Sequence, residues 1–204
     1  MSELSRREFF LHSGLYGGSV WLLLSARPRA IQAAQESTRR AVLTPTQWKT
    51  VEAVSGRIIP TDHDPGAIEA HCVNFVDKAL AHEDAKLKPL YAKGLAALDV
   101  ASTHRFDKPF VELASEQQDE LLAGVESGKV AGWPAGGVAA PEFFAVVRMH
   151  TIVGFLADPK YGGNRDYAGW KVVGYPGGGH KLGGYSPAQM KGTAKITTAW
   201  GEEV

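Results

Sequence analysis

The chain has 204 residues, 44% of them hydrophobic and 22% charged, with 22 Lys and Arg set against 22 Asp and Glu. That composition fits one compact domain and excludes a disordered or fibrous chain, and the even charge excludes the basic excess that gathers nucleic acid. The single cysteine, Cys72, cannot close a disulfide within the chain, and there is neither a Cys-x-x-Cys-His to attach a c-type haem nor a pair of Cys-x-x-Cys to hold structural zinc.

The chain opens with Ser5-Arg6-Arg7-Glu8-Phe9-Phe10-Leu11, followed by an apolar run from Gly14 to Ala26. The run is shorter than the ~20 residues that span a bilayer and has the form of a signal-peptide core. Two adjacent arginines followed by phenylalanines match the twin-arginine export pattern better than an ordinary secretory start. Residues 1–33 are therefore expected to be a twin-arginine signal peptide with Arg6, Arg7 and Phe9 in its recognition motif, which directs the chain to the periplasm. Arg27, Pro28 and Arg29 interrupt the cleavage region, and Ala30, Ala33 and Ala34 offer an imperfect small-x-small site, so removal of the leader and its retention as an anchor both stay open. Without residues 1–33 the balance becomes 18 basic and 20 acidic side chains. Cargo of this route crosses the membrane already folded, generally after a cofactor is inserted or a complex assembled. A leader of this type on a chain with no cofactor motif points to a leader that serves a bound partner.

Residues 34–43 are mostly polar and read as a linker, and residues 44–204 as a single helical domain. Thr44-Pro45-Thr46-Gln47 has the form of a helix start, with Thr44 as N-cap, Pro45 at the first helical position and Gln47 closing a capping box. Trp48, Val51, Val54 and Ile58 follow at helical spacing until Pro60. A second helix is expected after Asp64-Pro65, its apolar side formed by Ile68, Cys72, Phe75, Val76 and Leu80, which makes Cys72 a buried, inert thiol. Leu87, Leu90, Tyr91, Leu95 and Leu98 mark a third helix that ends near His104, with Gly94 costing it about 1 kcal/mol relative to alanine. Ser115-Glu116-Gln117-Gln118 repeats the capping pattern ahead of Leu121, Leu122 and Val125, and Gly128 ends this fourth helix. A fifth starts at Pro141 and carries Phe143, Phe144, Val147, Thr151 and Gly154, the last small enough to let another backbone approach. The fold class is thus all-α, about five helices, with a long glycine-rich irregular segment over residues 160–187.

Candidate chemistry is sparse. Asp62, His63, Asp64 and His71 form the nearest approach to a ligand cluster, but Asp64 also suits a helix cap and the spacing is not that of a metal motif. His150, near Arg148 on the fifth helix, has the chemistry of a proton-transfer residue and equally that of a packed helix histidine. Gly177-Gly178-Gly179-His180-Lys181 neither follows a strand nor opens a helix, so it is a poor phosphate cradle. Gly162 and Gly163 permit positive φ, and Asn164 and Asp166 can bond nearby amides to hold a compact turn. Arg165 and Trp170 are residue types that anchor interfaces, while Tyr161 and Trp170 equally suit the chain's own core. Two roles stay open for Tyr161, Gly162, Gly163, Asn164, Arg165, Asp166 and Trp170: ordering the loop, or touching a partner.

From Phe143 to Gly177 the chain holds, in order, Gly154-Phe155, Asp158-Pro159, Tyr161-Gly162-Gly163-Asn164, Gly169-Trp170 and Gly174-Tyr175-Pro176-Gly177. This succession resembles the gluconate 2-dehydrogenase subunit 3 family, as does Arg57-Ile58-Ile59-Pro60-Thr61-Asp62 leading to Pro65-Gly66-Ala67, so the resemblance spans residues 44–180. It implies a small, helical, non-catalytic subunit that binds no cofactor itself and accompanies a large FAD-dependent dehydrogenase of the glucose-methanol-choline type, often with a multihaem cytochrome c. It also implies that the subunit supplies the signal read by the twin-arginine translocase to a leaderless flavoprotein, stabilises it, and remains with it in a periplasmic complex at the inner membrane. The competing expectation is an independent periplasmic oxidoreductase or ligand-binding domain that uses His150, Asp158 and Arg165.

Overall fold

The computed structural model of the chain describes residues 40–177, 186–191 and 193–196. The expected leader, with Arg6, Arg7 and Phe9, the first part of the expected linker, and Gly178 to Tyr185 lie outside the described residues. Seven α-helices and no β-strand occur among the described residues. Five are long: α1 (Pro45–Ile58), α2 (Cys72–Ala81), α3 (Lys88–Phe106), α4 (Ser115–Ser127) and α5 (Ala140–Leu156). Two are short, α6 (Ala168–Val173) and α7 (Pro187–Met190). No helix among them is long and apolar enough to cross a membrane.

Local chemistry sets most of the boundaries. At α1 the capping box is complete: Gln47 N donates to Thr44 Oγ1 at 3.2 Å and Thr44 N donates to Gln47 Oε1 at 3.0 Å. At α4 the N-cap is Ala114, one residue before the expected Ser115, and only half of the box forms, with Ala114 N donating to Gln117 Oε1 at 3.1 Å. Gly128, at φ 69°, ends α4 in the left-handed conformation that favours glycine.

The second helix departs from expectation. It begins at Cys72, because residues 67–70 form turns packed on the end of α1, where Ala67 N donates to Ile59 O at 2.8 Å, and His71 interrupts the path at φ 54°. Ile68 therefore lies 47% exposed, outside both apolar clusters, with its side chain over the buried Gly56 of α1. The segment after α5 also differs: instead of one irregular stretch it contains two 3₁₀ turns, Pro159–Tyr161 and Arg165–Tyr167, followed by α6.

Helices α1, α2, α3, α4 and α5 enclose one core in which Val51, Val76, Leu98, Val125, Phe143 and Val147 are shut off from water. Gly94 lets α3 close on α5, since a Cβ there would stand 2.1 Å from Phe143 Cδ2. A second, smaller cluster of Ile59, Ala67, Ala70, Cys72, Phe155 and Ala168 lies where α2, α5 and α6 meet. Burial pushes the Cys72 thiol far up, which keeps it protonated. At Gly154 the helices α2 and α5 touch closely, with Cys72 Cα 3.3 Å from where a Cβ would sit.

Candidate partner-binding site

The turns between α5 and α6 are built on the outside of the second cluster. Ala157 N donates to Val153 O at 2.7 Å to close α5, and Asp158 caps the first turn by accepting from Lys160 N at 3.1 Å. The other Asp158 oxygen, Oδ2, is buried with no hydrogen-bond partner among the described residues. The Lys160 ammonium lies 5.0 Å from the Tyr161 ring centroid, and burial lowers its pKa against the opposing pull of the Asp158 charge. Tyr161 is half-buried, and its hydroxyl is raised by burial first and then by the charges of Asp158 and Glu83.

Asn164 is the hub. Fully buried, it donates from Nδ2 to Ala157 O and accepts Gly169 N on Oδ1, each at 2.8 Å, so one amide ties the end of α5 to the start of α6. The turns lie backbone against backbone on α5: a Cβ on Gly163 would stand 2.1 Å from Gly154 O, and one on Gly169 would stand 1.8 Å from Phe155 O. Trp170, 5% exposed, donates from Nε1 to Leu156 O at 2.6 Å, with the rings of Tyr167 and Tyr175 at 5.4 and 4.9 Å. Two bonds tie the turns to α2 and its approach: Asn74 Nδ2 donates to Gly162 O at 2.7 Å, and Arg165 N donates to Ala70 O at 3.1 Å.

Four non-glycine residues with positive φ meet at this junction: His71 at 54°, Asn164 at 47°, Asp166 at 54° and Tyr167 at 58°. Each costs about 1–2 kcal/mol for an L-residue, less for Asn or Asp, and such strain persists only where the surroundings over-determine it. Here the bonds of Asn164, the glycine contacts and the seated Trp170 supply that determination. The rigid frame holds Arg165 and Asp166 outward, with side chains 57% and 85% exposed and Nε to Oδ2 at 3.5 Å. Arg165 Nη1 meets His71 Nε2 at 2.8 Å. Among the residues singled out in the sequence, Gly163, Asn164 and Trp170 face inward, Tyr161 and Gly162 are half-buried, and Arg165 and Asp166 form the displayed edge. A pre-ordered guanidinium beside a carboxylate is suited to recognising a protein surface, because little side-chain freedom is lost on contact.

His150 lies elsewhere. It is 7% exposed, its Nδ1 meets the Tyr91 hydroxyl at 2.9 Å, and its Nε2 faces Asp84 Oδ2 at 3.2 Å. The bond from His150 holds the Asp84 carboxyl below the usual range, and burial raises the Tyr91 hydroxyl. A depressed carboxyl pKa contributes stability that is present above the unfolded value near pH ~4 and is lost as pH falls through the folded value. Asp84→Asn is therefore expected to melt below the unsubstituted protein at neutral pH, with the gap closing as pH drops from ~4 toward ~2; thermal melts across that range check it. A gap that stays constant with pH would deny the Asp84–His150 contact its role.

His150, Asp158 and Arg165 thus serve three separate contacts and do not form a shared site. Asp62, His63 and Asp64 bring ligand atoms within 4.8 Å of one another at the surface, where the imidazole already faces both carboxylates at 3.3 and 3.2 Å. His71 does not join them; it faces Arg165. Asp77 and Asn74 escaped the sequence reading, although Asp77 falls on the apolar stripe of α2 between Val73 and Leu80, where an acid is conspicuous.

Residues 45–177 match the family model described as gluconate 2-dehydrogenase subunit 3. The matched span starts at the first residue of α1 and takes in the bundle, both turns and α6. No curated protein and no solved structure matches the chain.

Proposed function

The chain belongs to the gluconate 2-dehydrogenase subunit 3 family, and from that membership we propose that it is the non-catalytic small subunit of an FAD-dependent sugar or sugar-acid dehydrogenase. In this reading it carries the twin-arginine leader for a larger flavoprotein of the glucose-methanol-choline type and stabilises that partner. The complex works in the periplasm at the inner membrane, with a multihaem cytochrome c as a further component.

The match over residues 45–177 carries the reading, since it makes this chain an accessory subunit of a dehydrogenase complex. Two observations support the finer assignment. Arg6-Arg7 and Phe9 stand ahead of a short apolar run, the residue pattern of a twin-arginine leader. The strained turns, fixed by Asn164 and the glycines, hold Arg165 and Asp166 at the surface for a partner to grip. FAD and haem belong to the partners in this scheme, and this chain contributes a binding surface and an address.

Arg6→Lys/Arg7→Lys, co-expressed with the leaderless flavoprotein, is expected to leave the flavoprotein in the cytoplasm and to reduce periplasmic dehydrogenase activity to background. Fractionation followed by activity measurement checks this. Undiminished periplasmic activity would rule out the escort role.

A further inference from the structure

Four consecutive backbone amides at the entry to α1 are held by side chains. Ala41, Val42 and Leu43 donate to the Asp77 carboxylate at 2.5, 2.9 and 2.7 Å, and Thr44 donates to Gln47 at 3.0 Å. Asp77 is only 1% exposed, in the middle of α2. A carboxylate buried that deeply needs strong donors to offset its lost hydration, and three amides aimed at its two oxygens supply them. The same segment is held by its side chains, Leu43 lying 4% exposed in the main core and Val42 packing partly buried against it. Helix α1 does not need Asp77 for its own start, because Thr44 and Gln47 already cap it. The carboxylate is directed at the chain that comes before the helix.

We propose that Asp77 is a latch that fixes residues 41–43 to α2, so that the chain enters the bundle at one set place and proteolytic processing is kept out of residues 41–44. A peptidase binds several residues of its substrate in extended form through their backbone groups. Residues 41–44 have those amides engaged and cannot be drawn into a cleft without breaking the latch. The bonded residues are 34 to 36 positions apart in sequence, so the latch exists only once α2 has docked on the bundle. For a leader read by a translocase of folded cargo, its root is then set in place by folding itself. That last consequence rests on the export reading, whereas the latch does not.

Hydrogen exchange and limited proteolysis of the full chain, both read by mass spectrometry, test the latch apart from any export assay. In the unsubstituted protein the amides of residues 41–43 are expected to exchange at least ~100-fold more slowly than in an unstructured peptide, and every N-terminal cut to fall before Ala41. Asp77→Asn, which leaves one neutral oxygen for the amides of Val42 and Leu43 and sets an NH2 group against that of Ala41, is expected to release the exchange at Ala41, to speed it at 42 and 43, and to let cuts enter residues 41–44. If that variant does not fold, the unsubstituted protein decides the matter alone. Unprotected amides at 41–43, cleavage inside residues 41–44 of the folded protein, or a folded Asp77→Asn with unchanged exchange and cleavage would each overturn the proposal.

Discussion

Replacing Asn164 with alanine is expected to lower the melting temperature by roughly 10 °C, the largest effect of any single side chain in the turns after α5. The substitution strips Ala157 O and Gly169 N of their partner in a buried setting, at about 1–3 kcal/mol for each unsatisfied group. It also leaves an alanine at φ 47°, which adds about 1 kcal/mol. A total of about 3–7 kcal/mol, at roughly 2–4 °C per kcal/mol for a domain of this size, gives a shift of roughly 6–28 °C, and relaxation of the freed backbone groups sets the expected value toward the lower end. Arg165→Ala serves as the control: its side chain is 57% exposed, and its loss is expected to move stability by no more than ~0.5 kcal/mol. Melts followed by circular dichroism separate the two, and an Asn164→Ala melt within ~2 °C of the parent would show that this amide does not hold the frame.

Much of the bundle was legible because its signals are local. Thr44, Pro45 and Gln47 specify the start of α1 through atoms within one turn of each other, and the apolar spacing of α3 and α5 places Tyr91, Leu98, Phe143 and Val147 in the core without reference to anything distant. The close approach at Gly154 was equally open to inference, since a glycine on an apolar helix face has few other uses. The start of α2 was not legible. Residues 67–70 have helical composition, and what keeps them in turns is their seat against Ile59 and the bond from Arg165 N to Ala70 O, nearly a hundred positions away in sequence. For the same reason α6 was hidden in a glycine-rich stretch: its first turn is fixed by Asn164, whose other bond reaches back to α5.

The site divides along the same line. That Asn164 and the glycines form a turn follows from their chemistry, but which of the neighbouring side chains face outward depends on how that turn is laid on α5. Trp170, an interface residue by type, is consumed internally by its bond to Leu156 O and by the rings of Tyr167 and Tyr175. Asp77 carried a visible sign, an acid on an apolar stripe, yet the backbone amides that satisfy it leave no mark in sequence. The Asp84–His150–Tyr91 contact likewise joins residues whose neighbourhood only the packing of α5 on α3 creates.

Reversing the displayed charges, Arg165→Glu with Asp166→Arg, keeps the buried bonds of Asn164 and Trp170 but exchanges the Arg165–His71 contact and puts an arginine at φ 54°, so a melt of the double variant accompanies the binding measurement. Loss of one well-seated arginine at an interface costs about 1–2 kcal/mol or more, and introducing the opposite charge adds repulsion, so affinity for the proposed flavoprotein partner is expected to fall at least ~10-fold. The most direct test of the subunit assignment is purification of the full chain from cells that co-express the flavoprotein, with flavin absorbance and sugar-acid oxidation followed in the eluate. If the assignment holds, flavin and turnover co-purify with the unsubstituted chain, are largely lost from the charge-reversed chain, and are absent when this chain is expressed alone. Oxidation of the substrate by this chain on its own, or failure of the flavoprotein to accompany the unsubstituted chain, would contradict it.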